Sequence, residues 1–239
     1  MPTRKRIGLR MRVVIFGASG MVGQGILREC LLDPGVVEVL TVSRSALDAS
    51  VDTAVDRKSP KLRELVRPDV FSDLDFTPIA RELTGFDACF FPLGVSSFRM
   101  KEAAYKRVTR DLTLAAARVL AKQNPAMVFL YVSGEGTDVR SKTMWARVKG
   151  ATENALLSMP FRAAYMFRPG LILAKNGIRS KVAIYNLLYR ALLPLVALLG
   201  RFPKLATDTQ TVGRAMLRAA RETPAERIWN TAGINRLGR

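Results

Sequence analysis

The fold is decided by residues 12–23, which read RVVIFGASGMVG from Arg12 to Gly23. The apolar, β-branched residues 13–16 end abruptly at a glycine, a pattern typical of a strand buried on both faces of a parallel sheet. Apolar spacing over residues 22–32 predicts a helix that ends at Asp33-Pro34-Gly35. Residues 36–42 predict a second strand. Together these segments form one β-α-β unit, with a right-handed crossover.

Three glycines, each three positions after the last, lie between the first predicted strand and the helix. Gly17 permits the tight exit from the strand because glycine tolerates positive φ. Gly20 lets the backbone approach a pyrophosphate, and Gly23 lets the helix pack close to the sheet. The helix start then offers free N–H groups and a partial positive charge to phosphates. The predicted dinucleotide-binding residues are Gly17, Ala18, Ser19 (with its hydroxyl as a donor), Gly20, Met21, Val22 and Gly23. A purely structural glycine turn is the alternative.

The alternation of strands and helices continues along the chain. Further strands are predicted at 62–66, 88–92, 127–133, 163–168 and 227–230, and further helices at 78–83, 102–123, 142–157 and 210–221. Such regular alternation indicates an α/β fold with a doubly wound parallel sheet, the Rossmann fold. We expect a flexible basic arm at 1–10, one dinucleotide-binding domain at 11–233 and a tail at 234–239. Residues 171–207 are expected to form a small C-terminal extension, or lid, on the substrate side.

Composition restricts the chemistry. The chain has 239 residues, of which 49% are hydrophobic, and this suits one compact domain. It has no histidine, and its two cysteines, Cys30 and Cys89, lie in apolar runs, so we expect neither a metal nor a disulfide. The net charge of +18 favours anionic ligands. Because the basic residues cluster only near the start, no specific nucleic acid is expected, although a peripheral membrane or nucleic-acid binder is a further class to test.

Residues 182–200 form a strongly apolar segment that, as a helix, would be about 28 Å long. Arg190 near its centre and Pro194 argue against a membrane span. We expect it to cover the sheet or a substrate cleft, with a peripheral membrane or protein contact as the alternative. The residues before Met11 lack the apolar core of a secretory signal, and a cytoplasmic location is expected. The oligomeric state stays open.

The second predicted strand runs into Ser43, Arg44 and Ser45. A protein that prefers NAD usually places a carboxylate here for the ribose hydroxyls, whereas an arginine suits the 2′-phosphate of NADP. The two serine hydroxyls could donate hydrogen bonds to the same phosphate. The sequence therefore predicts NADP rather than NAD, and an ordinary exposed Arg44 is the alternative.

The glycine spacing and the motif Arg168-Pro169-Gly170 after the sixth predicted strand resemble the short-chain dehydrogenase/reductase superfamily. The likeness is to its extended and atypical NAD(P)-binding branches, which include epimerase-like and TIP30-like members, and it covers residues 11–233. The resemblance implies that Asp69 and Val70 border the adenine. It also implies that the ribose and phosphate side of the cofactor, and then its nicotinamide end, meet Leu93, Gly94, Val95, Pro169 and Gly170.

The catalytic pattern that this resemblance implies is a serine after the fifth strand and a tyrosine four residues before a lysine. Ser133 matches the serine and Lys149 the lysine, but Trp145 stands where the tyrosine is expected. The spacing still puts Trp145 and Lys149 on one helix face. An indole N–H donates a hydrogen bond but is neither an acid nor a base near neutral pH. Trp145 as a packing residue is an equal alternative to a catalytic role.

The resemblance implies that Lys149 holds the nicotinamide ribose and that Ser133 orients a carbonyl. A proton would then come from another source, namely Tyr131, Tyr165, Glu135 or water. The predicted function is an NADP(H)-dependent oxidoreductase or epimerase-like enzyme acting on a small carbonyl or hydroxyl substrate. The alternative, which Trp145 favours, is a catalytically silent NADP(H)-binding regulatory or interaction module.

Overall fold

The computed structural model of the chain describes residues 10–47, 56–178 and 204–239. Most of the expected basic arm and the whole apolar segment 182–200 lie outside these ranges. Of the expected lid, only the two ends, 171–178 and 204–207, are described.

A seven-stranded parallel sheet forms the centre of the molecule. Its strands are β1 (Met11–Phe16), β2 (Val36–Ser43), β3 (Leu62–Val66), β4 (Ala88–Phe91), β5 (Val128–Val132), β6 (Ala163–Arg168) and β9 (Ile228–Asn230). They lie in the order β3-β2-β1-β4-β5-β6-β9. The predicted doubly wound parallel sheet is confirmed. The prediction succeeded because most of the strand segments are apolar enough to be buried on both faces of a sheet.

Helices cover both faces of this sheet. They are α1 (Met21–Leu32), α2 (Pro68–Asp73), α3 (Glu102–Lys106), α4 (Leu112–Gln123), α5 (Met144–Leu157), α6 (Thr209–Glu222) and α7 (Thr231–Leu237). Alternate residues of β1 divide the core: Val13 and Ile15 pack toward α1 and α6, whereas Val14 and Phe16 pack toward α4. Within the described ranges, no helix has the length and apolar character needed to span a bilayer.

The structure differs from the predicted elements in two helices. The helix predicted at 102–123 is interrupted by a π-helical turn at Arg107–Asp111, which the apolar spacing of the sequence did not indicate. The helix predicted at 78–83 is only a short 3₁₀ turn, Thr77–Ile79, followed by single turns as far as Thr84.

Four short elements were not predicted. Helix α2 begins with a proline and ends after six residues at Leu74, which has φ 56°. Strands β7 (Leu171–Leu173) and β8 (Ala206–Asp208) form a separate two-stranded parallel sheet. Helix α7 occupies part of the expected tail and contributes the fully buried Ile234 to the core. Residues 234–237 are therefore part of the folded structure.

The order of the strands locates the site. After β3 the chain crosses to the other side of β1 and adds β4, so the direction of winding reverses between β1 and β4. In doubly wound sheets, ligands bind outside the carboxyl ends of the strands at this reversal. The glycine turn follows β1 at this edge, and residues 92–101 follow β4.

Candidate functional site

The glycine turn joins β1 to α1 with a closed inner face and an open outer face. Gly17 has φ +88°, and a Cβ there would lie 2.7 Å from the Leu93 Cα. A Cβ at Gly23 would lie 2.0 Å from the Gly17 carbonyl oxygen, so the first turn of α1 packs directly on the loop. At Gly20, a Cβ would meet only that same oxygen, at 3.4 Å. Ligand access is therefore free at Gly20 alone of the three.

Helix α1 begins on the open side of this turn. Gly20 is its N-cap residue, and no side chain caps the helix start. The N–H groups of the first helical turn, from Met21 and Val22 onward, lack intrahelical acceptors and carry the positive end of the helix dipole. Ala18 is buried and Ser19 is half-buried beside them. Bare amides with no side chain in front of them suit a diphosphate, so the turn fits a dinucleotide.

Ser43, Arg44 and Ser45 lie at the same edge, where β2 ends. The Ser43 hydroxyl donates a 2.7 Å hydrogen bond to the Ser45 carbonyl oxygen, so it is already used within the loop. Arg44 is exposed. Among the described residues, no carboxylate lies within ion-pair distance of its guanidinium. Arg44 is thus available to an anionic ligand, whereas Ser43 would first have to break its own bond.

The end of β3 contributes a residue that the sequence did not point to. The Arg67 N–H donates to the Ser43 carbonyl oxygen at 2.9 Å, so the ends of β2 and β3 lie side by side. The Arg67 guanidinium donates from Nε and Nη2 to the Asp69 carboxylate, and this contact lowers the pKa of Asp69. Val70 is buried in the core. Asp69 therefore meets a ligand as one half of an ion pair.

The ends of β4 and β6 supply the remaining predicted cofactor residues. Leu93 closes the inner face of the glycine turn, while Gly94 and Val95 are exposed. Pro169 is buried, and the Gly170 N–H donates to the Thr231 hydroxyl at 2.8 Å. All the predicted residues thus lie at one edge of the sheet, as the carboxyl ends of parallel strands require. Their roles toward a cofactor stay predictions.

Ser133 and Lys149 meet at this edge. Ser133 directly follows β5, and Lys149 lies in the second turn of α5. The Lys149 ammonium donates a 2.6 Å hydrogen bond to the Ser133 carbonyl oxygen. Burial lowers the pKa of Lys149 to about 8, against the opposing effect of the Glu153 carboxylate. The side chain therefore carries a proton that it can release close to neutral pH.

Glu153 and Arg168 form an ion pair directly behind Ser133. The Ser133 hydroxyl and the Arg168 guanidinium both donate to the Glu153 carboxylate, which is only 1% exposed. The hydrogen bond that Arg168 donates to the Glu153 carboxylate raises the pKa of Arg168. The sequence did not point to this pair, although Glu153 lies on the helix face of Trp145 and Lys149, at steps of four. A carboxylate on a helix face that is turned to the core needs a buried partner, and this could have pointed to an ion pair at Glu153.

Trp145 lies one helical turn before Lys149 and packs against the loop after β5. Cβ atoms at Gly134 and Gly136 would each lie 3.8 Å from its ring. The two glycines give the indole a flat backbone surface to rest on. Trp145 is half-buried, so the residue keeps some exposed surface at this edge. This position is compatible with both the packing role and a contact to substrate.

The candidate proton sources differ in their access to this edge. Tyr131 is fully buried in β5, and burial raises its pKa. The Tyr165 hydroxyl donates to the Pro224 carbonyl oxygen at 2.8 Å, just before β9, and thus at the amino edge of the sheet. Glu135 is exposed and accepts a long, 3.4 Å hydrogen bond from the Thr231 hydroxyl. Both tyrosines are therefore unsuited to protonate a substrate at the carboxyl edge.

Tyr131→Phe is expected to leave the protein as stable or to stabilise it by about 1 kcal/mol. The Tyr131 hydroxyl is buried and has no hydrogen-bond partner among the described residues. An unsatisfied buried hydroxyl costs about 1–3 kcal/mol, and phenylalanine keeps the ring while removing that group. Urea unfolding of both proteins measures the difference. A loss of more than 1 kcal/mol would contradict the assignment of Tyr131 to the apolar core.

Comparison with curated proteins finds distant relatives. The chain is 28% identical over 192 residues to the FMP52 protein of Eremothecium gossypii, covering 75% of this chain and 78% of that protein. It is 27% identical over 163 residues to fmp52 of Emericella nidulans, covering 67% and 66%. It is 28% identical over 161 residues to HTATIP2 of Rattus norvegicus, covering 67% and 62%. The match spans less than two thirds of the last two relatives. No family model matches the chain.

Solved structures share the fold across nearly the whole chain. An oxidoreductase of the short-chain dehydrogenase/reductase family from Burkholderia thailandensis superposes with a TM-score of 0.69 at 17% identity, covering 94% of this chain and 92% of that one. A short-chain dehydrogenase from Burkholderia cenocepacia, in complex with NADP, gives 0.61 at 13%, covering 94% and 89%. WbmG of Bordetella bronchiseptica, in complex with NAD and UDP, gives 0.67 at 13%, covering 95% and 74%. The resemblance predicted from the sequence is confirmed, since the fold is shared with a short-chain dehydrogenase solved with NADP and with WbmG solved with NAD and UDP.

The names of the fungal relatives correct one expectation. The FMP52 proteins are named mitochondrial, which contradicts the cytoplasmic location expected from the sequence. That expectation depended on the absence of a secretory signal. Mitochondrial transit peptides have no continuous apolar core either, so the observation could not separate the two locations.

Proposed function

We propose that the chain is an NADP(H)-dependent oxidoreductase or epimerase-like enzyme that acts on a small carbonyl or hydroxyl substrate. The proposal depends chiefly on one observation: a glycine turn with an open outer face lies at the reversal of the sheet, at the same edge as Ser133 and Lys149. The relatives and structural neighbours support an NAD(P)-dependent enzyme of this class.

Each part of the site would serve one step. The glycine turn binds the diphosphate through backbone amides, as its bare outer face allows. A bound nicotinamide supplies the hydride. The Lys149 ammonium has three donor hydrogens and donates one of them to the Ser133 carbonyl oxygen. The other two are available to a ribose hydroxyl or to substrate. Trp145 shields one side of the site from water.

A direct test combines cofactor titration with turnover. NADPH fluorescence should change on binding, and NADPH should be oxidised in the presence of at least one member of a broad carbonyl panel. Binding without turnover on the whole panel would favour the silent regulatory module, which the replacement of the expected tyrosine by Trp145 supports. The absence of binding to NADPH and to NADH would exclude both functions.

The preference for NADP is proposed from Arg44, whose guanidinium is exposed at the end of β2. Arg44→Ala is expected to weaken NADPH binding about 10- to 100-fold and to leave NADH binding nearly unchanged, because a charge-assisted hydrogen bond contributes about 1.5–3 kcal/mol. Fluorescence titration with both cofactors measures this. Arg81→Ala, an exposed arginine that precedes β4, is the matched control. Equal losses for both cofactors would contradict the preference.

A further inference from the structure

The side-chain nitrogen of Lys149 lies in surroundings that favour the release of its proton. Its ammonium is 2.6 Å from the Ser133 carbonyl oxygen and 5.9 Å from the centre of the Tyr131 ring. Across the described ranges, no carboxylate lies within ion-pair distance of it. Glu153, one turn further along α5, is occupied by Arg168 and by the Ser133 hydroxyl. Lys149 is therefore a half-buried ammonium without a counter-charge of its own.

The hydrogen bond of Ser133 restricts what the serine can donate. An ionised carboxylate is an acceptor only, so the hydroxyl proton of Ser133 is directed to Glu153. The hydroxyl oxygen then has only lone pairs to offer a substrate. A substrate carbonyl oxygen, which needs a donor, is not served by Ser133 in this arrangement. The donor has to be another group at the same edge.

The other groups nearby are poorer donors than Lys149. The Trp145 indole cannot release its proton near neutral pH. Tyr131 is enclosed in the core, and Tyr165 is bonded to the Pro224 carbonyl oxygen. Glu135 is exposed to water at the rim of the site. A general acid works best when its pKa is near the working pH, and burial brings the pKa of Lys149 to about 8.

We propose that the Lys149 side-chain nitrogen itself is the proton donor and acceptor of this site, in place of the expected tyrosine hydroxyl. The inference rests on the proposed function. In carbonyl reduction, a bound nicotinamide would supply the hydride to the carbonyl carbon. One N–H bond of the Lys149 ammonium breaks as the O–H bond forms on the carbonyl oxygen, and the neutral amine regains a proton from water. In alcohol oxidation the neutral amine accepts the hydroxyl proton.

The pH dependence follows from the charge state that each direction needs. Reduction requires the ammonium, so its rate should fall as the pH rises through about 8. Oxidation requires the neutral amine, so its rate should rise over the same interval. In the part of the chain that the structure describes, the titratable and charged groups around Lys149 are Glu153 on its own helix, Tyr131 on β5 and, behind the Glu153 carboxylate, Arg168 on β6. Burial has the largest influence on the pKa of Lys149, and the Glu153 carboxylate opposes it.

Lys149→Arg is the main test, because arginine keeps the charge and donors but does not release a proton. We expect NADPH affinity within about threefold of the native value and turnover reduced by about 100-fold or more, as general acids contribute 100- to 10,000-fold. The limb near pH 8 should disappear. Lys122→Arg, at an exposed lysine near the end of α4, should change neither quantity.

A second measurement uses the native protein and does not depend on turnover. Brief acetylation at a series of pH values, read by mass spectrometry, reports the neutral fraction of each lysine. Lys149 should become reactive near pH 8, whereas exposed lysines follow at about 10.4. Reactivity of Lys149 in step with Lys122 would overturn the inference, as would a Lys149→Arg variant that keeps native turnover and the same pH limb. Native protein that binds NADPH but turns over no carbonyl would instead defeat the proposed enzymatic function, and the inference with it.

Discussion

Trp145→Tyr should raise the turnover of carbonyl substrates by about 100- to 1,000-fold, within the range that a well-placed general acid contributes. A tyrosine hydroxyl one helical turn from Lys149 would have its pKa lowered by the neighbouring ammonium, so it could give its proton more readily. The flat surface of Gly134 and Gly136, on which the indole rests, leaves room for the smaller ring. Steady-state NADPH oxidation measures the gain.

Trp145→Phe is the matched control for this gain. It makes a similar reduction in ring size but brings no hydroxyl group. Its turnover should stay at or below that of the native protein. If phenylalanine and tyrosine raised turnover equally, the gain would come from the smaller ring and not from proton transfer. If tyrosine brought no gain, the identity of residue 145 would not limit the chemistry.

Gly23→Ala should abolish dinucleotide binding and destabilise the protein by about 3 kcal/mol, the upper part of the usual range for overpacking. The new methyl group would lie 2.0 Å from the Gly17 carbonyl oxygen and 2.9 Å from the Ala18 Cα. Both are backbone atoms, so the clash is relieved only if α1 moves away from the sheet or the turn opens. Urea unfolding and NADPH titration measure the two effects.

Gly20→Ala separates ligand binding from stability in the same turn. Gly20 has φ −79°, which alanine adopts without strain, and its new methyl group would meet only one oxygen, at 3.4 Å. Stability should stay within about 0.5 kcal/mol of native, the usual range for surface changes. NADPH affinity should fall at least tenfold, because the methyl group occupies the face where a diphosphate would approach. Unchanged affinity would contradict the assignment of this turn as the phosphate site.

Much of the fold could be predicted because its information is local. Each central strand is a short run of apolar residues, and such a run is by itself enough to predict a strand that is buried on both faces of the sheet. The β7–β8 pair could not be predicted, since its three-residue strands carry too little pattern and their pairing depends on distant parts of the chain. The π-helical turn at Arg107–Asp111 could not be predicted for another reason: a single π turn inside a longer helix has no distinct signal in the spacing of apolar residues.

The candidate site was predictable to the extent that it follows strand ends. Ser133 and Lys149 could be placed from the spacing in one motif and from the end of one strand. The contact between Glu153 and Arg168 joins a helix to a strand, and no spacing along the chain encodes it. The same applies to Arg67, whose relation to Ser43 exists only because β2 and β3 are neighbours.

The ion pair between Glu153 and Arg168, behind Ser133, affects the order in which substitutions at this site can be tolerated. Loss of the arginine alone would leave a carboxylate that is 1% exposed without its counter-charge, a change that costs about 3–5 kcal/mol in buried pairs. Loss of the glutamate alone leaves an arginine side chain that is 28% exposed and can turn toward water. If both residues of this ion pair are replaced during evolution, the less destabilising order is therefore Glu153 first and Arg168 second. Descendants that retain a lone arginine would be viable intermediates, and those that retain a lone glutamate would be eliminated.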